Sequence, residues 1–250
     1  MISLPAALVL GFVLALVRAS AWVVVCPPFS NSSIPAVAKV GLAAGLALLA
    51  APAASRALPG ASSAAFVAAV VEQVAIGLAI GFFVKVTVAA VTSAGSLVDL
   101  FSGLNLPPSL DPLSQQDVPL VGQLYEMIAV TLLFTSGADL LLVRGFVASF
   151  TTRTVVFGSL GELAAGATAQ LGSMFAAALE IAAPLVAVLF VTQVLLGLLA
   201  KAAPQMNVFV FGFGLQVAVT ILGLGLAITA LPVELTNLVT RTAGQVFGGG

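Results

Sequence analysis

The sequence has no histidine among its 250 residues, and only one cysteine, Cys26. The first absence removes the commonest general base and the commonest metal ligand. The second excludes a disulfide within the chain. Charge is almost as scarce: charged residues make up 7% of the chain and the net charge is −1, where a soluble domain carries about 25% charged residues. So few charges cannot cover a soluble fold of this size, and no basic surface recommends nucleic acid as a partner. What fills the sequence instead is apolar: 61% of residues are hydrophobic and the mean hydropathy is +1.23. That surplus calls for lipid as its solvent. HExxH, metal-spaced Cys/His sets and the P-loop are all missing, and the glycine-rich stretches lie within apolar runs rather than after strands. The sequence therefore reads as non-enzymatic, with no cofactor-binding or metal site.

The apolar runs predict an all-α, polytopic membrane protein of about six segments forming helical hairpins, in a single domain over 1–250. Segment one, Pro5 to Cys26, has no basic residue ahead of it and runs on past Ala19-Ser20-Ala21, so it is expected to be a retained helix rather than a cleaved leader. Pro27-Pro28 ends it. Segment two runs from Pro35 to Ala51, is short for a span, and is expected to stop at Pro52. Segment three, Ala64 to Phe101, would be about 55 Å long as one helix and must tilt strongly, break or leave a hydrocarbon core of about 30 Å. Segment four runs from Leu120 to Val143. The more polar stretch Arg144 to Gly172 is expected to form interfacial helix and turns. Segment five runs from Ser173 to Ala200 with a kink at Pro184, segment six from Val208 to Leu231, and an amphipathic tail from Pro232 to Gly250. With both ends inside, the inner connections carry Arg56, Arg144, Arg153 and Arg241 against Lys39 and Lys201 outside, which favours cytoplasmic ends.

Charges interrupt the apolar segments, among them Arg18, Glu72, Lys85, Asp99, Asp139 and Glu180. An unpaired charge in lipid costs about 3 kcal/mol or more, so these side chains are expected to be buried against protein, water or one another. A conduction path and a set of packing contacts with snorkelling ends both accommodate them. The acids are scattered along the chain rather than clustered, which suits packing better than a relay. Small residues at helical spacing, Gly41/Gly45, Gly77/Gly81 and Gly95/Asp99/Gly103, allow close helix approach, within this chain or against other subunits.

The stretch from Ser102 to Pro119 is different. Its four prolines, Pro107, Pro108, Pro112 and Pro119, forbid a continuous helix, yet Leu104, Leu106, Leu110, Leu113 and Val118 make it too apolar for a plain solvent loop. Irregular backbone at membrane depth must be buried in protein or line an aqueous cavity. A surface loop and a structured plug or constriction both remain open on these residues.

Three stretches in order resemble the FliR family of flagellar biosynthetic proteins, subunits of the export gate of type III secretion. They are CPPFSNSSIPAVAKVGLAAGLALLAAP from Cys26 to Pro52, with Pro27, Pro28, Phe29 and Pro35; Leu110-Asp111-Pro112 with Val118 to Gln123; and Ala203 to Phe209, with Pro204, Gln205 and Asn207, followed by Gly212-Phe213. Virulence-type secretion systems have a similar subunit. The family pattern continues with a Gly-Phe-Pro-like element and a nearby lysine; here Gly214 and Gln216 stand instead, which puts in doubt a charge role at 216. The resemblance implies a hetero-oligomeric gate assembled with FliP-like and FliQ-like subunits, served by FlhB-like and FlhA-like proteins, that passes unfolded flagellar proteins. It implies the bacterial inner membrane and flagellar basal body as location, with projection to the periplasmic side. It also implies that Leu104, Leu106, Pro107, Pro108, Leu110, Asp111 and Pro112 plug the channel. A small secondary transporter or channel subunit is the alternative reading, motivated by the charges within spans; Pro28 and Pro184 mark two segments, but the halves share no repeat of residue pattern.

Overall fold

A computed structural model describes residues 6–31, 34–57, 62–103, 119–151, 160–205 and 207–247. Among them lie seven α-helices and one short 3-10 turn, with no strand: α1 (Ala6–Val25), α2 (Ala36–Ala54), the turn Ser55–Ala57, α3 (Ser63–Ser102), α4 (Leu120–Thr135), α5 (Ala138–Ala148), α6 (Leu160–Ala202) and α7 (Val208–Phe247). Five of them, α1, α2, α3, α6 and α7, are long and apolar enough to cross a membrane. The all-α, polytopic reading is borne out.

Several boundaries differ from the sequence reading, each for a physical reason. Segment four is two helices, bent by 70° at the break between α4 and α5. Gly137 makes the bend with φ 72, a left-handed conformation that glycine adopts without steric cost. The stretch Arg144 to Gly172, expected as interfacial helix and turns, is helical at both ends of its described residues, in α5 up to Ala148 and again from Leu160. There it is already α6, 43 residues long. Within it Gly166 packs against Phe83, where a Cβ would sit 3.4 Å from the ring, and Gly172 has open space around it. Pro232 does not end α7: the helix loses one hydrogen bond there but keeps a buried stripe of Leu231, Leu235, Val239, Ala243 and Val246 at helical spacing. Pro52 likewise sits in the last turn of α2, and Ala54 beyond it joins the core around Ala15, Ala47 and Ala50. Segment three neither breaks nor stops, and spans 40 residues. At 1.5 Å per residue α3, α6 and α7 are each about 60 Å long, roughly twice a hydrocarbon core.

The chain divides into two compact units, residues 1–87, 133–170 and 238–250 in the first, and 88–132 and 171–237 in the second. In the first, α1 and α2 form a hairpin packed through small residues. A Cβ on Gly11 would fall 2.8 Å from the Ser55 amide nitrogen. The N-terminal half of α3 rides on α1 the same way, with Gly77 against Arg18 and Ala21, and Gly81 against Val25 and Trp22. Trp22, fully buried, stacks on Phe146 of α5 at 4.7 Å and meets Phe29 at 5.4 Å. In the second unit the C-terminal half of α3 lies against α4, where Gly95 faces the backbone of Val121 and Gly122, and α6 pairs with α7 through Gly212 on Leu196 and Gly223 on Leu185. Gly41 and Gly45 meet nothing within 4 Å. The small-residue rows thus separate: two serve this chain's own packing and one lies open.

Candidate functional site: a polar collar flanking residues 104–118

Asp99 is fully buried on α3. Its two carboxylate oxygens accept the backbone N–H groups of Val121 at 3.0 Å and Gly122 at 2.9 Å. Those are two of the four amides that the start of any helix leaves without an internal partner. A carboxylate at a helix N-terminus also meets the positive end of the helix dipole. Asp99 therefore caps α4 from another helix. The approach this requires is set by glycine: a Cβ on Gly95 would lie 2.8 Å from the Gly122 Cα and the Val121 carbonyl oxygen.

The other end of the junction is tied just as specifically. The Phe101 carbonyl, one of the last four of α3 and so without an intrahelical donor, accepts the Gln193 side-chain amide of α6 at 3.0 Å and that of Gln216 of α7 at 3.2 Å. Gly103 then turns the chain out with φ 70, and a Cβ there would crowd the Gln216 side chain at 3.1 Å. Ser102 donates back to the Asp99 carbonyl. These contacts of Asp99, Phe101, Gln193 and Gln216 form a polar collar at the end of α3 and the start of α4. The segment between includes Leu104, Leu106, Pro107, Pro108, Leu110, Asp111 and Pro112, and these lie outside the described residues.

Arg18 anchors a second set of contacts, in the first unit. It is 6% exposed. Its Nε donates to Gln73 at 2.7 Å, its Nη1 to the Ser149 carbonyl at 2.9 Å and hydroxyl at 3.1 Å, and the guanidinium lies 4.0 Å over the Phe150 ring. Its hydrogen-bond partners are neutral, where the sequence reading allowed ion pairs. Nearby in the same unit, Gln170 donates to both Thr87 at 3.1 Å and Thr242 at 3.2 Å, and the two threonines share a hydrogen bond of 2.7 Å. These contacts lash helices together through satisfied polar groups, as apolar surroundings require.

The other expected sites fall out differently. Glu72, Lys85 and Glu180 are exposed on this chain rather than buried. Glu72 contributes attraction to Arg18. Asp139 is half-buried in the first turn of α5, where the helix dipole favours an acid. Pro27, Pro28 and Phe29 form the turn after α1, with a cis bond between the two prolines. Pro35 precedes α2, and Lys39 donates across this turn to the Ser30 carbonyl at 3.1 Å. Pro204 and Gln205 form an exposed turn, and Asn207 caps α7 by accepting the Val210 N–H. Sequence reasoning missed Gln73, Gln170 and Gln193 altogether and took Gln216 as a mere absence of charge. The usable signal was the neutral amide inside an apolar run, which needs a partner as much as a charge does.

Fold and site together define a polytopic, all-α integral membrane protein whose polar side chains fix helix ends and helix pairs. Residues 9–242 match the model of the bacterial export proteins, family 1. The chain belongs to that family. It is similar to the flagellar biosynthetic protein FliR of Bacillus subtilis, 29% identical over 93% of this chain and 91% of that one. It is similar also to FliR of Escherichia coli, 33% identical over 80% and 77% of the two chains. The Yop proteins translocation protein T of Yersinia pestis is 31% identical over 56% and 54%. The resemblance drawn from the three sequence motifs is borne out.

Proposed function

We propose that this chain is a non-enzymatic subunit of a flagellar type III export gate in the bacterial inner membrane, assembled with FliP-like and FliQ-like subunits around a channel for unfolded flagellar proteins. FlhB-like and FlhA-like proteins act on its cytoplasmic side, and part of the assembly projects toward the periplasm. In this reading residues 104–118 plug the channel. The observation that carries it is the collar: Asp99, Gln193 and Gln216 hold the two ends of an apolar, proline-rich segment at one rigid junction. The longer coverage with flagellar relatives than with the Yersinia protein favours the flagellar system. Deleting Leu106 to Asp111 in the assembled complex is expected to make the membrane leak ions; unchanged conductance removes the plug role. Failure of the chain to co-purify with FliP-like and FliQ-like subunits removes the gate itself.

A further inference from the structure

We infer that the groove between α6 and α7 receives an apolar helix of a neighbouring subunit that carries a lysine or arginine, with the cation held between Glu180 and Glu234. The inference rests on the reading of the chain as a gate subunit. The groove encloses about 550 Å³. Its walls are aliphatic, among them Leu185, Val188, Leu222 and Leu226, except for the carboxylates of Glu180 and Glu234. Both carboxylates are exposed and unpaired among the described residues. A third acceptor joins them, because residue 184 is proline and the Glu180 carbonyl lacks its helical N–H donor. The polar chemistry of the groove is thus acceptor-only and negative.

Neither solvent suits such a surface. Two unpaired carboxylates cannot face acyl chains, and aliphatic walls as exposed as Leu222 at 73% and Leu226 at 77% are not left to water. A helix with one basic side chain answers both demands. The shape agrees: the α7 wall repeats at three- and four-residue spacing through Val219, Leu222, Gly223, Leu226 and Ala230. That is the ridge pattern into which another helix packs, extending over about three turns. A lipid headgroup with an ammonium would occupy only the acidic end.

The test uses the assembled complex with a photo-reactive phenylalanine analogue at Leu226, followed by mass spectrometry of the crosslinked peptide. The expected product joins Leu226 to a helix of another subunit with a lysine or arginine within one turn of the crosslinked residue. The double variant Glu180→Gln, Glu234→Gln is expected to lower its yield by at least about tenfold, because the cation loses both charge partners. Changing that basic residue to glutamate should be rescued by Glu180→Lys. Crosslinks to lipid, to another part of this chain, or to a peptide without a basic residue overturn the inference, as does a yield indifferent to both substitutions. Co-purification of the wild-type chain with its partners reports on the gate reading separately, so an assembled complex with an empty or lipid-filled groove sinks only this inference.

Discussion

Replacing Asp99 with alanine removes both acceptors that hold the start of α4. Hydrogen bonds to a charged group contribute about 1.5–3 kcal/mol each, and loss of an ordinary N-cap costs about 0.5–2 kcal/mol. The two bonds here share one carboxylate and are not additive. The Val121 and Gly122 amides are left facing a fully buried site, and together the loss comes to about 3 kcal/mol. If α4 frays locally, that energy raises the opening equilibrium of its first turn on the order of 100-fold, at about 1.4 kcal/mol per factor of ten. Hydrogen–deuterium exchange reads this directly, because the peptide covering Pro119 to Glu126 should gain exchange while the α1 peptide does not. Asp99→Asn keeps one acceptor oxygen and should give roughly tenfold. Exchange at Val121 and Gly122 that stays within about threefold of wild type in Asp99→Ala refutes the capping argument, since bonds of this type cannot be lost for so little.

Gly95→Ala should cost about 1–3 kcal/mol as overpacking, because its Cβ meets the α4 backbone and no flexible side chain can yield. Gly41→Ala, with open space around it, should leave the isolated chain as stable or up to about 1 kcal/mol more stable; thermal melts in detergent compare the two, and a Gly41→Ala defect seen only in the assembled complex marks a subunit contact. Arg18→Met should lower the melting temperature through a loss of about 2–4 kcal/mol, and Arg18→Lys should recover only part of it, because one ammonium cannot serve Gln73 and Ser149 together; full recovery by lysine refutes the fork geometry. Gln216→Lys should be tolerated, since an ammonium can still donate to the Phe101 carbonyl, whereas Gln216→Leu should raise exchange around Phe101 to Gly103; equal behaviour of the two removes the donor role.

The helices were legible in the sequence wherever an apolar run is bounded by a breaker with nothing to offset it. Pro27-Pro28 after α1 is such a case. Boundaries failed where tertiary packing overrode the breaker. Pro232 carries a local penalty of one hydrogen bond, but the buried stripe from Leu231 to Val246 extends across it. The polar stretch Arg144 to Gly172 read as interfacial helix and turns, yet from Leu160 it is continuous helix, with Gly166 packed on Phe83. At the site, charge was the visible flag. It picked out Arg18 and Asp99, the two that are buried. It also picked out Glu72, Lys85 and Glu180, which this chain by itself leaves exposed, because a charge excluded from lipid can be met by a partner as readily as by its own chain. The glutamines of the collar carried no such flag. Gln193 and Gln216 sit 23 residues apart in sequence on different helices, and only the turn between α6 and α7 brings both to the Phe101 carbonyl.

Ion conductance of the assembled complex in a planar bilayer tests the central claim most directly. Wild type should hold the membrane closed, deletion of Leu106 to Asp111 should open it steadily, and Asp99→Ala should open it intermittently if residues 104–118 are the proposed plug and Asp99 holds one end of it. A complex that contains all its subunits and stays closed with the deletion contradicts the account.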